Sequence, residues 1–402
     1  MKFAIIKERK NPPDRRVVFS PTRLKEAKAK FPKAEFKVEA SDIRVFIDDE
    51  YREAGFEVTQ NVSDCDVMIG VKEVPVEALI PNKKYFFFSH TIKKQPYNRK
   101  LLKAILDKNI ELYDHETIVN KEGFRLIGFG YYAGVVGTYN GFRAWGLKYN
   151  SWELPKAGKL PNQAALISKL KELDVPNIKI LLTGSGKVSN GAQEILDAMG
   201  IKPVTVDEFI EEHFAEPVYC KIDVLDYNKR LDGTNATDVF DFFNHPERYE
   251  SNFMRFAKVA DFYIAGHFYG DGAPYLYTRE DVKSVDFNIK VVADISCDVD
   301  GPVATTLRAS TIENPIYGYD PQTESEVDYQ NDNAITVMAV DNLPCELPSD
   351  ASEGFGDMFL QHVIPAFFNG DKNGFLQRAK ITENGKLTKR FSYLQDYVDE
   401  KE

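Results

Sequence analysis

One stretch in the middle of the chain restricts the fold more than any other. The apolar run IKILLT at 178–183 leads directly into GSGKVSNG at 184–191, and the helical pattern AQEILDAMG follows. A strand, a glycine turn and a helix in this order form the unit that holds the phosphates of a dinucleotide. The stretch therefore predicts an α/β fold with a nucleotide-binding domain.

The residues of this loop have separate tasks in such a unit. Gly184 permits the tight turn, and Gly186 lets the backbone approach the pyrophosphate. Ser189 or Gly191 keeps the helix close to the strand. The third glycine of the usual G-x-G-x-x-G is missing from its place, so a tight βα turn without a ligand is the alternative. We predict that the cofactor is bound by Gly184, Ser185, Gly186, Val188 and Ser189.

A candidate ribose-binding acid, Asp207, ends the apolar run KPVTV about twenty residues past the glycines. An acid in that place accepts hydrogen bonds from the ribose hydroxyls of adenosine and repels a 2′-phosphate. Asp207 therefore favours NAD over NADP. The alternative is that Asp207 is the N-cap of a helix over DEFIEEH.

Residues 1–130 alternate apolar runs with helical patterns, which predicts a parallel sheet covered by helices. Two of the runs, CDVMIGV at 65–71 and YFFFSH at 85–90, are typical of buried parallel strands. Lys72, Glu73 and His90 end these runs, where ligand sites of open α/β sheets lie. The alternative is that they are polar residues that only terminate the strands. Their joint appearance at two strand ends favours a catalytic pair.

Two arginines follow the first predicted strand, in the loop NPPDRRVVFSP. Arginine has a planar fork of donors that suits a carboxylate. Arg15 and Arg16 are therefore candidates for binding an acidic substrate, and the alternative is a pair of surface arginines without a role.

Residues 213–258 are polar and aromatic, and we interpret them as an insertion that is partly helical. Two further strands are predicted after it. DFYIAG at 261–266 leads into His267, and IKVVADIS at 289–296 is followed by Asp298 and Asp300. We expect these strand ends to face the nicotinamide, with a solvated loop histidine as the alternative for His267.

The composition excludes some classes of function. A net charge of −11 argues against a nucleic acid or an anionic membrane as partner. No stretch is long and apolar enough to span a bilayer, and the start MKFAIIKERK lacks the features of a signal peptide. The four cysteines have no C-x-x-C spacing, so we expect no metal site. We expect a cytoplasmic protein, either a monomer or a small homo-oligomer.

The chain resembles a known family at a series of motifs that occur in the family's order. The matching stretches are DRRVVFSP (14–21), GVK (70–72), FFSHTIKKQ (87–95), GFGYYAGVVG (128–137), TGSGKVSNGAQEI (183–195), HPERY (245–249), ADISCDVDGP (293–302), STIENPIYGYD (310–320) and VDNLPCELPSDASEGFGDM (340–358). They are similar to the lysine-forming saccharopine dehydrogenases and to the lysine–2-oxoglutarate reductase half of the bifunctional aminoadipic semialdehyde synthases. Both groups belong to the alanine dehydrogenase and transhydrogenase-alpha superfamily.

The resemblance implies two Rossmann-like domains, each with a parallel sheet flanked by helices, and a cleft between them. We expect a discontinuous catalytic domain at residues 1–145 plus 325–402, which binds the substrate. A dinucleotide-binding domain at residues 146–324 is then inserted into it. The C-terminal strand and helix are expected to return and complete the first domain.

The resemblance also implies a reaction. The family condenses L-lysine with 2-oxoglutarate to saccharopine with NAD(P)H, or catalyses the reverse. In the oxidative direction one group takes the amine proton and another activates water, and the resemblance assigns these tasks to Lys72 and His90. NAD is the implied cofactor, with NADP as the alternative.

Further residues are assigned by the resemblance alone. Glu73 and Glu116 match acids that moderate the charge of the catalytic pair. Arg16 matches an arginine near the substrate carboxylates, and Arg125 is a second candidate for that task. Asp298 matches an aspartate near the nicotinamide and completes the predicted cofactor-binding set.

Two stretches depart from the family pattern. GVKEVP is closer to the yeast-type enzymes than to the GVKRPP-like pattern of the reductase half, and 213–258 shares only HPERY with that half. One alternative is therefore an alanine-dehydrogenase-like enzyme or another opine or amino acid dehydrogenase. A second, from another class, is a non-catalytic nucleotide-binding or transhydrogenase-alpha-like subunit. The joint presence of Lys72, His90 and Arg16 argues against the second.

Overall fold

Two separate sheets organise the chain, one in each of two units. The computed structural model describes residues 1–401. Unit 1 joins Met1–Phe129 to the C-terminal segment that begins at Pro348, and unit 2 is Gly130–Leu347. Over residues 1–401, no helix combines the length and the apolar character needed to cross a membrane.

The strands are, in chain order, β1 (Lys2–Ile5), β2 (Glu35–Glu39), β3 (Glu57–Thr59), β4 (Val67–Ile69), β5 (Lys84–Phe87), β6 (Glu111–Asp114), β7 (Lys179–Thr183), β8 (Lys202–Pro203), β9 (Val218–Ile222), β10 (Asn228–Arg230), β11 (Tyr249–Ser251), β12 (Phe262–Ala265), β13 (Val291–Asp294), β14 (Ile316–Asp320), β15 (Ser325–Val327), β16 (Ile335–Met338), β17 (Thr382–Glu383) and β18 (Lys386–Leu387).

The α-helices are α1 (Pro21–Lys30), α2 (Asp48–Glu53), α3 (Arg99–Asp107), α4 (Gly130–Tyr149), α5 (Gln163–Lys171), α6 (Lys187–Ala198), α7 (Val206–Glu211), α8 (Val239–Asn244), α9 (Met254–Ala257), α10 (Arg279–Val282), α11 (Pro348–Met358), α12 (Ile364–Phe368), α13 (Phe375–Ala379) and α14 (Gln395–Val398).

The sheet of unit 1 is parallel throughout and has the order β3-β2-β1-β4-β5-β6, which is the strand order of the Rossmann fold. Successive residues of a strand enter the cores on opposite faces. Phe86 packs in a core with Phe355 and Phe359, whereas Tyr85 belongs to a core with Leu102. Because both faces are covered, the strands are continuous apolar runs, as the sequence predicts.

The sheet of unit 2 has the order β15-β14-β16-β13-β12-β7-β9-β8. The strand pairs from β8 to β16 are parallel, and only β14 is reversed, so that it pairs antiparallel with both β16 and β15. Both sheets are therefore parallel, or mostly so, and are flanked by helices. This confirms the predicted α/β class with two Rossmann-like domains.

Two glycines bring helices α4 and α6 unusually close together in unit 2. A Cβ added at Gly134 would lie 1.9 Å from the carbonyl oxygen of Val188. A Cβ at Gly191 would lie 2.0 Å from the carbonyl oxygen of Tyr131. The small residues of α4 therefore permit the close approach of another backbone, and Gly191 faces α4 rather than the strand.

The predicted domain limits differ from those of the units. The sequence placed the limits at residues 145 and 325, whereas the units divide at Phe129–Gly130 and Leu347–Pro348. Helix α4 belongs wholly to unit 2 because its glycines pack against α6. Strand β16 pairs with β13, so the strand expected to complete the first domain belongs to the second sheet. Only the segment after Pro348 returns to unit 1.

The interpretation of 213–258 as an insertion is wrong at its beginning. Strand β9 lies within that range and pairs in parallel with β7, along its whole length, from Lys179 opposite Val218 to Thr183 opposite Ile222. The half-buried Lys221 interrupts the apolar run, and the sequence pattern therefore did not indicate the strand. The rest of the range forms the β10–β11 hairpin with helices α8 and α9.

Candidate functional site

The strand ends that carry the predicted catalytic pair are neighbours in unit 1. Strands β4 and β5 pair in parallel, with Ile69 opposite Phe86. Lys72 follows β4 by three residues and His90 follows β5 by three residues. The expectation that the two runs form adjacent buried strands is therefore confirmed, and both side chains start from the carboxyl edge of the sheet.

Carboxylates lie beside both nitrogens of the His90 ring. Nδ1 is 3.3 Å from Oε2 of Glu116, and Nε2 is 4.0 Å from Oε1 of Glu73. Glu73 also forms an ion pair with Lys10, whose Nζ is 2.9 Å from Oε2. The structure thus brings together the predicted residues Glu73, His90 and Glu116, and it adds Lys10, which the sequence did not indicate.

Glu116 is held in its ionised form. Burial alone would raise the pKa of its carboxyl, but the hydrogen bond from His90 and the charges of Arg125 and Lys93 lower the pKa to about 2. Arg125 Nη2 lies 2.9 Å and Lys93 Nζ 3.7 Å from Oε1. Because a carboxylate only accepts hydrogen bonds, Nδ1 of His90 must carry a proton. A neutral His90 then has its lone pair on Nε2, as a general base requires.

The backbone that carries Lys72 is fastened by a buried acid. Glu8 accepts hydrogen bonds from the N–H groups of Val71 and Lys72 at 2.7 and 2.8 Å. Burial raises the pKa of Glu8 to about 7, although these two N–H groups and Arg16 lower it. The charge of Lys72 contributes to lowering the pKa of Asp14. Glu8 therefore binds the backbone of Lys72, and Asp14 interacts electrostatically with the charge of its side chain.

Arg16 is 2% exposed and already has a carboxylate beside it. Its Nε and Nη2 lie 3.0 and 2.6 Å from the two oxygens of Asp14, and its guanidinium stacks on Phe129 at 4.1 Å. Burial would raise the pKa of Asp14, but Arg16 lowers it. Arg15 is exposed, and Arg125 is bound to Glu116. That Arg16 and Arg125 bind a substrate carboxylate stays a prediction.

Three successive residues at the end of β6, Asp114, His115 and Glu116, contact the segments that follow β4 and β5. Asp114 accepts the backbone N–H of His90 at 3.1 Å, and the Glu116 side chain contacts the ring of the same histidine. Between them, His115 is fully buried, and its Nε2 lies 2.8 Å from the carbonyl oxygen of Gly70. Burial lowers the pKa of His115 to about 4, although that backbone contact raises it. His115 is therefore neutral and donates to Gly70, two residues before Lys72.

The glycine turn of unit 2 has the geometry that the sequence predicts for it. Gly184 has φ +104°, and a Cβ there would lie 2.6 Å from the carbonyl oxygen of Gly266. Gly186 precedes α6, and a Cβ there meets nothing within 4 Å. Ser189 is buried and packs against Gly266, with its Oγ donating to the Gly186 carbonyl at 3.0 Å. Ser185 is exposed, and Val188 is half-buried towards α4.

Asp207 does not lie at the end of a strand beside this turn. It is exposed in the first turn of α7, and the N-cap of that helix is Thr205, so the N-cap alternative for Asp207 is wrong, whereas its contact with a ribose stays a prediction. The short β8 is at the edge of the sheet, and the strand beside β7 is β9. The acid that follows β9 is Asp223, directly after Ile222, whose carbonyl accepts the N–H of Gly184 at 2.8 Å. Asp223 was missed because β9 was not recognised.

The other strand-end residues of unit 2 differ in exposure. Asp298 is exposed, four residues beyond β13, and the loop that leads to it is bound by the buried Asp294 through Ser296 and Cys297. Asp300 binds Arg279 at 2.7 Å. His267 is buried rather than solvated, and its Nδ1 lies 2.9 Å from Oγ1 of Thr183. Its proposed contact with nicotinamide, like that of Asp298, stays a prediction.

Besides Lys10 and Asp223, the sequence did not indicate two buried acids with backbone partners, Glu8 and Asp114. Glu8 stands in the charged run KERK and Asp114 ends the run IELYD, so each has the appearance of an ordinary surface charge. Both are less than a tenth exposed. The position of Glu8 just after β1 and of Asp114 at the end of β6 was the only available signal, because parallel strands of one sheet end at the same edge.

Two family models and several curated proteins match most of the chain. The family model described as "Alanine dehydrogenase/PNT, N-terminal domain" matches residues 4–136, and "Alanine dehydrogenase/PNT, C-terminal domain" matches residues 160–390. Alpha-aminoadipic semialdehyde synthase, mitochondrial, of Rattus norvegicus is 28% identical over 453 residues, which cover 100% of this chain and 48% of that protein. The chain thus spans about half the length of the first curated relatives that it matches.

A relative of similar length and a solved structure match nearly the whole chain. Saccharopine dehydrogenase [NAD(+), L-lysine-forming] of Candida glabrata is 25% identical over 407 residues, which cover 94% of this chain and 97% of that protein. A solved L-alanine dehydrogenase superposes with a TM-score of 0.67 at 16% sequence identity, covering 100% of this chain and 99% of that one. The latter likeness concerns the fold.

Proposed function

Because the chain belongs to the alanine dehydrogenase/PNT family, we propose that it is a nicotinamide-dependent oxidoreductase that interconverts saccharopine with L-lysine and 2-oxoglutarate. The reaction is at the CH–NH bond of saccharopine. The observation that carries the proposal is His90, hydrogen-bonded to the ionised Glu116 at the strand end beside Lys72. The match to relatives named as lysine-forming saccharopine dehydrogenases supports this choice of substrates.

The glycine turn of unit 2 fits the diphosphate of a dinucleotide. The space in front of Gly186 is open, and the turn leads into the N-terminus of the twelve-residue helix α6. Backbone N–H groups at such an end have no helical partner and favour an anion. A bound nicotinamide supplies the hydride acceptor or donor. Asp223 is the candidate for the ribose hydroxyls, and its charge favours NAD over NADP.

In the oxidative direction, the reaction needs two residues of this chain that take up and return protons. The bond to hydride breaks at the carbon beside the secondary amine, and Lys72 takes the amine proton as the imine forms. Nε2 of His90 takes a proton from the water that attacks the imine carbon, while Lys72 returns its proton to the imine nitrogen. The carbinolamine then collapses to 2-oxoglutarate: its hydroxyl proton passes to Lys72, the C–N bond breaks, and His90 gives its proton to the departing amine of lysine. General acid–base groups act in this way at near-neutral pH.

Two sets of charges support these transfers. Glu116 and Glu73 stabilise a protonated His90, because their carboxylates lie 3.3 and 4.0 Å from its ring nitrogens. Arg16 and Arg125 are the candidates for the substrate carboxylates. Arg125, whose side chain is 49% exposed, is the more accessible of the two.

The substrates are tested by following the oxidation of NADH and of NADPH. The expected result is turnover with 2-oxoglutarate that requires L-lysine, and a preference for NADH. Pyruvate with ammonia should give no turnover. Absence of lysine-dependent turnover would refute the proposal, and turnover with pyruvate and ammonia would favour an alanine-dehydrogenase-like enzyme instead.

The roles of the pair are tested by Lys72→Met and His90→Gln. Each should lower kcat by roughly a hundredfold or more, the usual scale for acid–base groups. The exposed Lys103→Met and His213→Gln are the matched controls, and both should keep the rate, because neither residue lies at the strand ends that carry the pair. Folded Lys72 and His90 variants with wild-type rates would contradict the assignment.

A further inference from the structure

A single buried carboxylate serves two neighbouring strand ends in unit 1. Asp114 is fully buried at the end of β6. Its Oδ2 accepts the backbone N–H of Ser89 at 2.8 Å and that of His90 at 3.1 Å, and also the Ser89 hydroxyl. Its Oδ1 accepts the backbone N–H of Glu116 at 2.7 Å. We propose that Asp114 is the positioning residue that holds His90 and Glu116 in their hydrogen-bonded geometry.

His90 requires such an anchor because its backbone is in an unfavourable conformation. Its φ and ψ are 54° and 12°, in the left-handed region that residues with a Cβ rarely adopt. A strained conformation persists only where surrounding contacts impose it. The hydrogen bonds that Asp114 accepts from the N–H groups of Ser89 and His90 are contacts of this kind.

The other oxygen of Asp114 fixes the partner of His90. Glu116 lies in the 3₁₀ turn His115–Thr117, which Asp114 caps through the N–H of Glu116. The backbone of both members of the His90–Glu116 hydrogen bond is thus bound to the same carboxylate. A change in Asp114 should alter the distance and angle of that bond, without Asp114 itself touching a substrate.

Four donors point at Asp114, so only its carboxylate form accepts all of them. Burial raises the pKa of Asp114, while the hydrogen bonds from Ser89 and Glu116 lower it. An asparagine is nearly the same size but turns an NH₂ group towards one set of donors. Asp114→Asn therefore weakens the anchor of either His90 or Glu116 with little change in volume.

The experiment measures both the anchor and its effect on the rate. In Asp114→Asn, hydrogen exchange of the backbone amides at 89, 90 and 116 should be faster by about tenfold or more in the free protein. The value of kcat should fall by roughly 10- to 100-fold, with each KM changed by less than about threefold, because a small misplacement of a catalytic group acts on the rate. Glu346→Gln is the matched control: a buried acid of unit 2, bound to Asn140 and Gly158. It should leave these values unchanged.

A milder variant covers the case in which Asp114→Asn does not fold. Ser89→Ala removes only the hydroxyl donor. It should change exchange and kcat in the same direction, by roughly threefold to tenfold. Unchanged exchange, or faster exchange with an unchanged kcat, would overturn the proposal.

The kinetic part rests on the proposed function, whereas the exchange part does not. If the wild-type protein showed no lysine-dependent turnover, the proposed reaction would fail. The exchange rates at 89, 90 and 116 would still show whether Asp114 holds this geometry.

Discussion

Replacing Glu8 with glutamine should remove a pH dependence from the stability of unit 1. Glu8 is buried and accepts the N–H groups of Val71 and Lys72. Burial raises its pKa from 4.5 to about 7, against the lowering effect of these hydrogen bonds. Glutamine is uncharged throughout this range, and its single carbonyl oxygen can still accept one of the two N–H groups.

The sign and size of the effect follow from the pKa in the folded and the unfolded chain. Between the two pKa values, the folded chain keeps a proton on Glu8 that the unfolded chain has released. The stability that protonated Glu8 contributes is therefore fully present below the unfolded pKa and is lost as pH rises through the folded pKa. From about pH 5 to about pH 8 the wild-type protein should lose about 2.5 kcal/mol of unfolding free energy more than Glu8→Gln.

The assay must report on unit 1 alone. The two tryptophans of the chain, Trp145 and Trp152, both lie in unit 2, so their fluorescence does not. Urea unfolding followed by pulsed hydrogen exchange and mass spectrometry reports on β4 and β5 directly. The exposed Glu313→Gln is the control and should keep the wild-type pH dependence. An equal loss of stability in Glu8→Gln and in the wild type would refute the reasoning.

Three further substitutions test the glycine turn of unit 2 and the partner of His90. Gly191→Ala places a Cβ 2.0 Å from the Tyr131 carbonyl and should cost at least about 2 kcal/mol of unfolding free energy in urea. Gly186→Ala meets no atom within 4 Å, so it should keep that free energy within about 0.5 kcal/mol. Its NADH affinity, measured by calorimetry, should fall roughly tenfold, and equal affinities would contradict the diphosphate site. Glu116→Gln should lower kcat roughly tenfold. Because the pKa of Glu116 is about 2, that loss should be constant at neutral and alkaline pH, and a loss confined to one end of the pH profile would contradict it.

Local patterns were sufficient for most of the strands. The runs around Val67–Ile69, Lys84–Phe87 and Lys179–Thr183 are apolar because both faces of each sheet are covered, and this makes them visible without the tertiary structure. The glycine turn was equally readable, since a tight βα turn has a local conformational requirement at Gly184. Strand β9 was not predicted, because Lys221 interrupts its apolar run.

The domain limits depended on contacts that sequence patterns do not contain. Helix α4 has glycines that predict a close neighbour, but only the tertiary structure identifies that neighbour as α6. In the same way, β16 has the composition of any buried strand, and its pairing with β13 assigns it to unit 2. Partner choice between elements distant in the chain is decided by packing, which the local sequence does not encode.

The sequence by itself determined the α/β class, the glycine turn and the two strand ends that carry Lys72 and His90. Only the tertiary structure decided which acids surround them. Glu8 is 63 residues from Val71 in the chain, and Asp114 is 24 residues from His90, yet each acid accepts the backbone N–H of that distant residue directly. The physical reason is that parallel strands bring their carboxyl ends to one edge, however far apart they are in sequence. Burial at that edge raises the pKa of Glu8 and Asp114, and both side chains bind the backbone of neighbouring strand ends.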